Sequence, residues 1–536
     1  MTRPDRVLAV LRRNADLARL AARSFDFDLD RAEHGEEVRL ASGAPLTAVA
    51  GDDTGGTYFV CADGAVLYAS SEGEAGLIAA GLDEALEILF GLPGWHDHTD
   101  LDFDPAADDE LEAVFKRTED EIRDSYAPGL DADRSTLLSG LGLRRLPGRE
   151  LLRRLQESLV RTEPEFLLLN ADEGCAYEPL DRLPRPPLWQ TVLAPGRSDL
   201  ARMRAADHDH RDAIASDPVR RATVLRAAQY DRQPGDLPLL RVLLRHEVRR
   251  GPTEELRLAA VLVGLHGRPE DHAWLRSLRE SEPDVRFLLG GFPDSPPDLT
   301  QWAAEFDESN HGQDPDEEHD LTWTGLARRQ GRTELARAAL IRILDDTGPR
   351  DEALLGCLVG EFRALGDLGQ AIRARRLHAS LQDDAGKRGA ALVDLASLQR
   401  RHGEVEAARQ SLQRAVTVLD GPTPTPPPTP TPPPAGQLEL APALPLPEAS
   451  CQTFAWRELG LGVRVTEEYL LIARAAAPLG LHETAGAALR SGRVMLDALA
   501  NPTDSLRRAA EAAEAAQTLA AVNPRRSVSV SASSTA

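Results

Sequence analysis

The sequence predicts a mainly α-helical protein in which a small α+β domain at the N-terminus precedes an α-solenoid of helical repeats. Leucine, alanine and arginine dominate the composition and aromatic residues make up only 4% of it, which favours helices over sheets. The clearest hairpin signal comes before residue 70, whereas helical patterns punctuated by glycine recur at a nearly constant spacing after residue 320.

Composition and charge exclude several classes of protein. The net charge of −24 disfavours nucleic acid and anionic membranes as partners, because both would repel the chain. The four cysteines lie far apart without a CxxC pair, so we expect neither a disulfide framework nor a structural zinc site. The first residues lack the continuous apolar core of a signal peptide, and no apolar run reaches membrane-span length. We therefore expect a cytoplasmic protein without a cofactor or a bound metal.

A chain of 536 residues is too long for one ordinary core, and composition shifts divide it into eight segments. We expect an α+β domain at 1–98, a helical connector with a short strand and a proline-rich part at 99–200, a helical block at 201–292, an acidic linker at 293–319, a repeat array at 320–420, a proline-rich disordered insertion at 421–450, a divergent terminal repeat at 451–502, and a loose helix with a disordered tail at 503–536.

The first domain is predicted to begin with one amphipathic helix over 7–24 and short strands within 37–50. Strands at 57–61 and 66–69 follow, joined at Asp63-Gly64, a dipeptide typical of a tight turn with positive φ at both central residues. The apolar pattern over 76–92 then predicts a helix that Gly-Leu-Pro-Gly-Trp95 ends.

This order of acidic glycine turn, hairpin and helix, over about residues 36–95, resembles the C-terminal half of the SUKH (SMI1/KNR4-like) superfamily. The matching residues are Gly51, Asp52, Gly56, Tyr58, Phe59, Asp63, Gly64, Val66 and Tyr68. The family's leading Leu-Pro segment is not evident here. The resemblance implies a non-catalytic α+β module, of a kind that in bacteria often serves as an immunity protein against a toxin. Our candidate binding residues are Asp52, Asp53, Tyr58, Tyr68 and Trp95.

Enzymatic and metal-binding alternatives to this interpretation are weaker. Asp53-Thr54-Gly55 matches an aspartic protease motif, but the residues before it are Ala-Gly-Asp rather than the apolar strand that such a motif follows. Gly55-Gly56 lacks the Gly-Lys-Ser/Thr of a phosphate loop. The string at 207–212 holds alternating histidines, which we interpret as an exposed charged turn. If distant segments assemble a catalytic site, Asp52, Asp53, His208 and His210 are its first candidates.

Two further resemblances concern the helical segments. Asp236 and Asp271 occupy corresponding places about 35 residues apart and flank an almost wholly apolar helix at 256–267, a spacing similar to that of HEAT repeats. Gly331, Gly366 and Gly403 lie 35 and 37 residues apart, each between two helical patterns.

A small residue follows each of these three glycines by five positions, at Ala336, Ala371 and Ala408, and Gly480 with Ala485 repeats the pattern. This pattern of a glycine followed five positions later by an alanine resembles tetratricopeptide repeats, although Arg375 stands where that family keeps an apolar residue. The tract Gly421–Pro434 predicts a stiff polyproline II spacer, or less favourably a ligand for a proline-reading domain.

The leading functional hypothesis is therefore a non-catalytic interaction protein whose partner is another protein, with a basic toxin domain as the partner that the SUKH resemblance implies. Repeat arrays bind proteins on extended faces, and an acidic binder attracts a basic partner. The alternative is a regulatory or assembly scaffold with no toxin partner, and an enzyme is the third hypothesis.

Overall fold

The computed structural model describes residues 3–101, 108–205, 208–348, 351–421, 456–457 and 460–522 and is mainly helical, with a small sheet region near the N-terminus. The chain divides into two compact units, Met1–Arg342 and Ile343–Ala536. Their boundary lies inside the helix Thr333–Asp346, so residue 320, where we expected a repeat array to begin, is not a boundary between compact units.

The described strands of the first unit form two sheets. They are β1 (Val38–Leu40), β2 (Leu46–Gly51), β3 (Thr57–Cys61), β4 (Val66–Ala69), β5 (Glu74–Ala79), β6 (Leu168–Asn170) and β7 (Glu178–Pro179). Strands β2 to β5 pair antiparallel in chain order, and β7 joins β5 in parallel. Strands β1 and β6 form a separate antiparallel ribbon.

The helices of the first unit fall into a group before residue 170 and a group after residue 187. They are α1 (Arg3–Arg13), α2 (Ala15–Phe25), α3 (Leu82–Gly91), α4 (Asp108–Ser125), α5 (Leu130–Leu141), α6 (Gly148–Val160), α7 (Thr162–Glu165), α8 (Leu188–Ala205), α9 (His208–Ser216), α10 (Pro218–Tyr230), α11 (Leu237–Val248), α12 (Glu254–Gly264), α13 (Pro269–Ser281), α14 (Pro283–Leu288), α15 (Leu299–Asn310) and α16 (Asp320–Arg329). Helices α1 to α6 contribute to one hydrophobic core with the main sheet, and α8 to α15 form a second core.

Both faces of the main sheet are buried. Tyr58 and Tyr68 face the core shared with the helices, whereas Phe59 and Leu67 face a second cluster that includes residues of the ribbon. Strands covered on both faces read as continuous apolar runs rather than as alternating patterns. This is why the expected helix over 76–92 is wrong at its start: Glu74–Ala79 is strand β5, and α3 begins only after Gly81.

Two other local predictions for this domain are corrected. The single helix expected over 7–24 is two helices, because the side chain of Asn14 accepts hydrogen bonds from the backbone of Asp16 and Leu17 and so caps a new helix. At the β3–β4 turn only Gly64 has positive φ (+94°), whereas Asp63 does not, and the Asp63 carboxylate accepts the Ala65 N–H at 3.1 Å. Four residues, 62–65, connect the strands, with glycine at the left-handed position, so the expected turn with positive φ at both central residues is wrong.

Paired charges fix the starts of two helices in the second core. Asp236, 3% exposed, lies at the N-cap position of α11 and accepts two hydrogen bonds from Arg204 at 2.9 and 2.8 Å. Asp271, 2% exposed, lies in the first turn of α13 and accepts two from Arg241, both 2.8 Å. The two aspartates that the sequence placed in corresponding positions therefore make corresponding contacts.

Several segments expected to be irregular are helical. The linker expected at 293–319 contains α15, whose Leu299, Trp302 and Ala303 are buried in the second core. The proline-rich part of the connector ends where α8 begins at Leu188, and Pro195 lies inside that helix. The charged turn expected at 207–212 is the start of α9 from His208 onward. In each case prolines or charged residues interrupt the apolar pattern along the chain, but tertiary packing buries the apolar residues that remain.

Several connections between the helices of the second unit contain a glycine with positive φ. The helices are α17 (Thr333–Asp346, which crosses the boundary), α18 (Glu352–Leu365), α19 (Leu368–Ser380), α20 (Ala385–His402), α21 (Val405–Asp420), α22 (Gly460–Ala476), α23 (His482–Ala498) and α24 (Asp504–Val522). Gly366, Gly403 and Gly480 each follow a helix with φ of +77°, +98° and +74°, as predicted. Ala371 and Ala408 are fully buried, and Ala485 is 1% exposed, so the small residue lies at the helix contact.

Consecutive helices of this unit pack on one another. Helix α18 contacts α19, α19 contacts α20, α20 contacts α21, α21 contacts α22, and α22 contacts both α23 and α24. The predicted insertion at 421–450 lies outside the described residues apart from Gly421, and so does the tail from residue 523. Within the described part of the chain, no helix combines the length and the apolar character needed to cross a membrane.

Candidate functional site

The turn after β2 is organised by the buried carboxylate of Asp52. Its Oδ1 accepts hydrogen bonds from the backbone N–H groups of Thr54 (2.9 Å) and Gly56 (2.8 Å) and from the Thr54 hydroxyl (2.9 Å). Its Oδ2 accepts one from the Tyr68 hydroxyl at 2.6 Å. Burial by itself would raise the pKa of Asp52, but these hydrogen bonds outweigh it and hold the pKa below its usual value, so the group is ionised.

Aromatic rings surround this carboxylate. The ring of Tyr68 lies 5.0 Å from that of Tyr58, 5.3 Å from Trp95 and 4.8 Å from His96. Tyr58 is fully buried, and Tyr68 and Trp95 are each 3% exposed. Burial lowers the pKa of His96 to about 4, although Asp52 and Asp97 act in the opposite direction, so the imidazole is neutral at pH 7.

The five sequence-predicted binding residues thus have different environments. Asp52, Tyr58, Tyr68 and Trp95 come together, but all four are buried, and a partner does not reach them in this conformation. Asp53 is exposed and lies at the edge of a cleft of about 490 Å³. The buried four support the loop that presents Asp53.

The cleft draws its lining from three distant parts of the chain: α2 with the residues after it, the turn after β2, and the end of α4. The lining residues are Arg19, Ala22, Arg23, Asp26, Asp28, Arg31, Gly51, Asp52, Asp53 and Tyr126. Sequence reasoning singled out Asp52 and Asp53 but missed Asp26 and Tyr126. The acidic run that begins at Asp26 was the available signal, whereas nothing in the sequence placed Tyr126 beside it.

Each of the three arginines that line the cleft forms an ion pair with an aspartate other than Asp26 and Asp53. Arg19 pairs with Asp16 at 3.1 Å, and Arg23 pairs with Asp133 at 2.9 Å. Arg31 pairs with Asp28 at 3.5 Å and donates to the carbonyl of Asp52 at 3.0 Å. The described residues supply no ion pair or hydrogen bond to the carboxylates of Asp26 and Asp53. The cleft therefore carries two negative charges without an ion-pair partner among the described residues when both are ionised.

Among the carboxylates that line the cleft, Asp26 has a raised pKa. It ends α2 in the left-handed conformation (φ +50°), which aspartate tolerates better than most residues. Burial raises the pKa of Asp26 to about 6, and the negative charges of Asp53 and Asp52 add to the effect, against a smaller opposing contribution from Arg31. A cation bound in the cleft would lower this pKa, so the site favours a positively charged ligand.

Tyr126 supplies an aromatic surface at the same place. Its side chain is 49% exposed, an unusual state for a large aromatic residue in this unit. Its pKa is raised by burial of part of the ring and by the charges of Asp26, Asp53 and Asp97, so the ring lies within electrostatic range of the three carboxylates. An exposed ring among carboxylates is suited to a lysine or arginine side chain.

The sequence also offered the Asp53-Thr54-Gly55 motif and the histidines at 208 and 210 as candidates for catalysis or metal binding. Thr54 donates to Asp52, so the Asp53-Thr54-Gly55 sequence forms a turn in which Gly55 has φ of +94°. The side chains of residues 208–210 lie outside the described part of the structure. Among the residues whose side chains are described, no group of three or more His, Cys, Asp and Glu residues is placed to hold a metal ion.

Fold and site together define a mainly helical protein whose N-terminal sheet unit carries an acidic cleft beside a buried, hydrogen-bonded aspartate. No family model, curated protein or solved structure matches the chain.

Proposed function

We propose that this chain is a non-catalytic protein-interaction protein and that its acidic cleft receives a basic side chain of a partner protein. The observation that carries the proposal is the pair of carboxylates, Asp26 and Asp53, that have no ion-pair partner among the described residues and lie in the same cleft as the exposed ring of Tyr126. A lysine or arginine inserted there gains ion pairs and a cation–π contact at one point, and partly desolvated contacts of this kind contribute most to binding.

The SUKH resemblance supports a basic toxin domain as the partner, with the protein acting as its immunity protein. The chain's net charge of −24 would accelerate its association with such a partner, and added salt would weaken the attraction. A toxin gene beside the gene for this chain would support this assignment, and a neighbouring regulator would favour the alternative scaffold.

The alternative is a regulatory or assembly scaffold with no toxin partner, and the helices of the second unit favour it. We propose that α18 to α23 are tetratricopeptide-like hairpins that stack as a solenoid, because glycine corners with buried alanines recur and consecutive helices contact one another. The repeated Arg204–Asp236 and Arg241–Asp271 contacts support a HEAT-like assignment for 201–292.

The test measures binding of the full chain to a fluorescein-labelled peptide of alternating lysine and alanine by fluorescence anisotropy. We expect the double variant Asp26→Asn/Asp53→Asn to bind about tenfold more weakly, because two ion pairs of moderate strength are lost. The control Asp109→Asn/Asp383→Asn removes the same charge from exposed positions elsewhere and should bind as the wild type does.

Affinity should fall as salt rises from 50 to 500 mM. An equal loss in both double variants would show attraction to net charge rather than to the cleft, and it would overturn the proposed site. Affinity that is insensitive to salt, or that rises with it, would overturn the electrostatic basis of the proposal.

A further inference from the structure

A second cleft, of about 510 Å³, lies within the second unit and has the opposite chemistry. Helix α20 forms its floor, and α19 and α21 form its two walls. The lining residues are Arg376, Ala379, Ser380, Arg388, Leu392, Leu395, Gln399, Ala407, Gln410, Ser411 and Arg414. The lining contains no carboxylate, in a chain whose net charge is −24. We call this cleft the arginine groove.

The three arginines of the groove are not committed to carboxylates. Neighbouring arginines on the same helices are paired: Arg375 with Asp394 at 3.4 Å, Arg400 with Glu468 at 2.5 Å, and Arg409 with Glu406 at 2.6 Å. By contrast, Arg376, Arg388 and Arg414 form no ion pair with any residue that the structure describes. Their positive charge is therefore uncompensated locally.

Arg388 is held in place without losing its charge. Its Nε donates to the carbonyl of Gln382 at 2.7 Å, which orients the guanidinium and leaves its terminal nitrogens for another acceptor. Arg376 and Arg414 are exposed on the two walls. A guanidinium held by a hydrogen bond at one end and exposed ones at the sides suit an anion that enters from solvent.

The floor adds a buried donor. The hydroxyl of Ser411 donates to Oε1 of Gln399 at 2.7 Å, and both residues are only 4% exposed. This contact uses the amide's acceptor and leaves its Nε2 hydrogens, for which the described residues show no acceptor. Leu392 and Leu395 lie beside the amide and give the floor an apolar strip.

We propose that the arginine groove binds an acidic peptide segment of a partner protein. From Arg388 to Gln399 the floor extends about 16 Å along α20, which matches about five residues of extended peptide. Carboxylates of such a segment would meet the guanidinium groups, and the apolar strip would contact its side-chain stems. The length of the groove and its leucines fit a peptide better than a free phosphate ion.

This inference goes beyond the proposed function, since it concerns a different surface and the opposite ligand charge. A nucleic acid would present charge along a far longer polyanion, and the rest of this acidic chain would repel it. A short acidic segment confines its charge to the groove, so the local arginines decide the interaction.

The test measures binding of the full chain to a fluorescein-labelled Glu-Leu-Glu-Leu-Glu peptide by fluorescence anisotropy. A peptide with glutamine in place of each glutamate is the ligand control. We expect the glutamine peptide to bind at least tenfold more weakly, and the variant Arg376→Ala/Arg414→Ala to lose at least tenfold in affinity for the acidic peptide. Both substitutions are at exposed helical positions, so the melting temperature should stay within a few degrees of wild type.

The matched control is Arg363→Ala/Arg401→Ala, which removes the same charge from exposed positions outside the groove and should change affinity less than twofold. Equal losses in the two double variants would overturn the proposal, and so would equal binding of the two peptides. Binding of inorganic phosphate without binding of the acidic peptide would also overturn it, because the groove would then be a site for a small anion.

Discussion

The hydroxyl of Tyr68 donates a 2.6 Å hydrogen bond to Oδ2 of Asp52, and this contact joins β4 to the turn that follows β2. The other oxygen of Asp52 is used within the turn itself, by Thr54 and Gly56. A buried carboxylate is tolerated only when hydrogen bonds replace its water, and here four of them do so. The exposed Asp53 of the acidic cleft is held by this buried neighbour.

Replacing Tyr68 with phenylalanine should destabilise the first unit by about 1–3 kcal/mol, because a buried carboxylate loses a hydrogen-bond donor. The urea midpoint of the full chain, followed by tryptophan fluorescence, measures the change. Tyr126→Phe is the control: that hydroxyl makes no hydrogen bond with a described residue, and its ring is half exposed. Equal midpoints for Tyr68→Phe and wild type would show that the bond to Asp52 contributes nothing to stability.

Gly56→Ala should be more damaging than an alanine placed at an unrestricted glycine. A Cβ at position 56 would lie 2.1 Å from the Tyr68 hydroxyl and 2.5 Å from Oδ2 of Asp52, so both groups must move. We expect a loss of about 1–3 kcal/mol, the range for overpacking a tight site. Gly35→Ala meets no atom within 4 Å and should be nearly neutral in the same thermal denaturation series. A neutral Gly56→Ala would contradict the geometry of the turn.

Asp26→Asn should make stability less dependent on pH. The pKa of Asp26 is about 6 in the folded chain and 3.8 in the unfolded reference. Between these values the folded state holds a proton that the unfolded state has released, so the wild type loses stability as pH rises from about 4 to about 6.

Asparagine does not titrate and also tolerates the left-handed conformation at this position. The variant should therefore exceed the wild type by about 1 kcal/mol at pH 7, after allowance for solvent screening of a partly exposed group. Near pH 3.5 the two proteins should coincide. Thermal denaturation across this pH range measures the difference, and a variant less stable than the wild type at pH 7 would rule out an unfavourable charge at Asp26.

An alanine after the last residue of α18 and an alanine inside α18 should change the stability of the second unit in opposite directions. Gly366 has φ of +77° and follows the helix, whereas Gly360 lies within it, and a Cβ meets no atom within 4 Å at either position. Gly366→Ala should cost about 1 kcal/mol through left-handed strain. Gly360→Ala should stabilise by about 0.5–1 kcal/mol, because alanine favours the helix. The unfolding midpoint of the second unit measures both, and a stabilising Gly366→Ala would contradict the corner assignment.

The parts predicted well from sequence are those governed by local chemistry. The hairpin strands β3 and β4 have the expected bounds, because turn residues and an apolar run mark both of their ends. The corner glycines behave as expected because positive φ is a property of a single residue. Strand β5 was mistaken for helix because burial on both faces removes the alternation that identifies a strand.

The candidate sites were only partly visible in the sequence. Asp52 and Asp53 were marked by their turn, but whether a side chain is buried beside a tyrosine or exposed in a cleft depends on residues far away in the chain. Asp26 and Tyr126 are separated by 100 positions, and Arg376 and Arg414 by 38, so no local pattern relates them. The sequence also does not show which of these side chains form ion pairs, since that depends on which opposite charges the fold brings near them.

The sequence by itself determined the helical class, the hairpin at the N-terminus, the glycine corners and the strongly negative charge, because each follows from composition or from the conformational preference of single residues. The tertiary structure alone decided which charges are neutralised. Ion pairs such as Arg23–Asp133 form between distant segments, and their geometry leaves Asp26 and Asp53 uncompensated in one unit and Arg376 and Arg414 in the other. Coulomb interactions depend on distance in space, and the order of residues along the chain does not contain that distance.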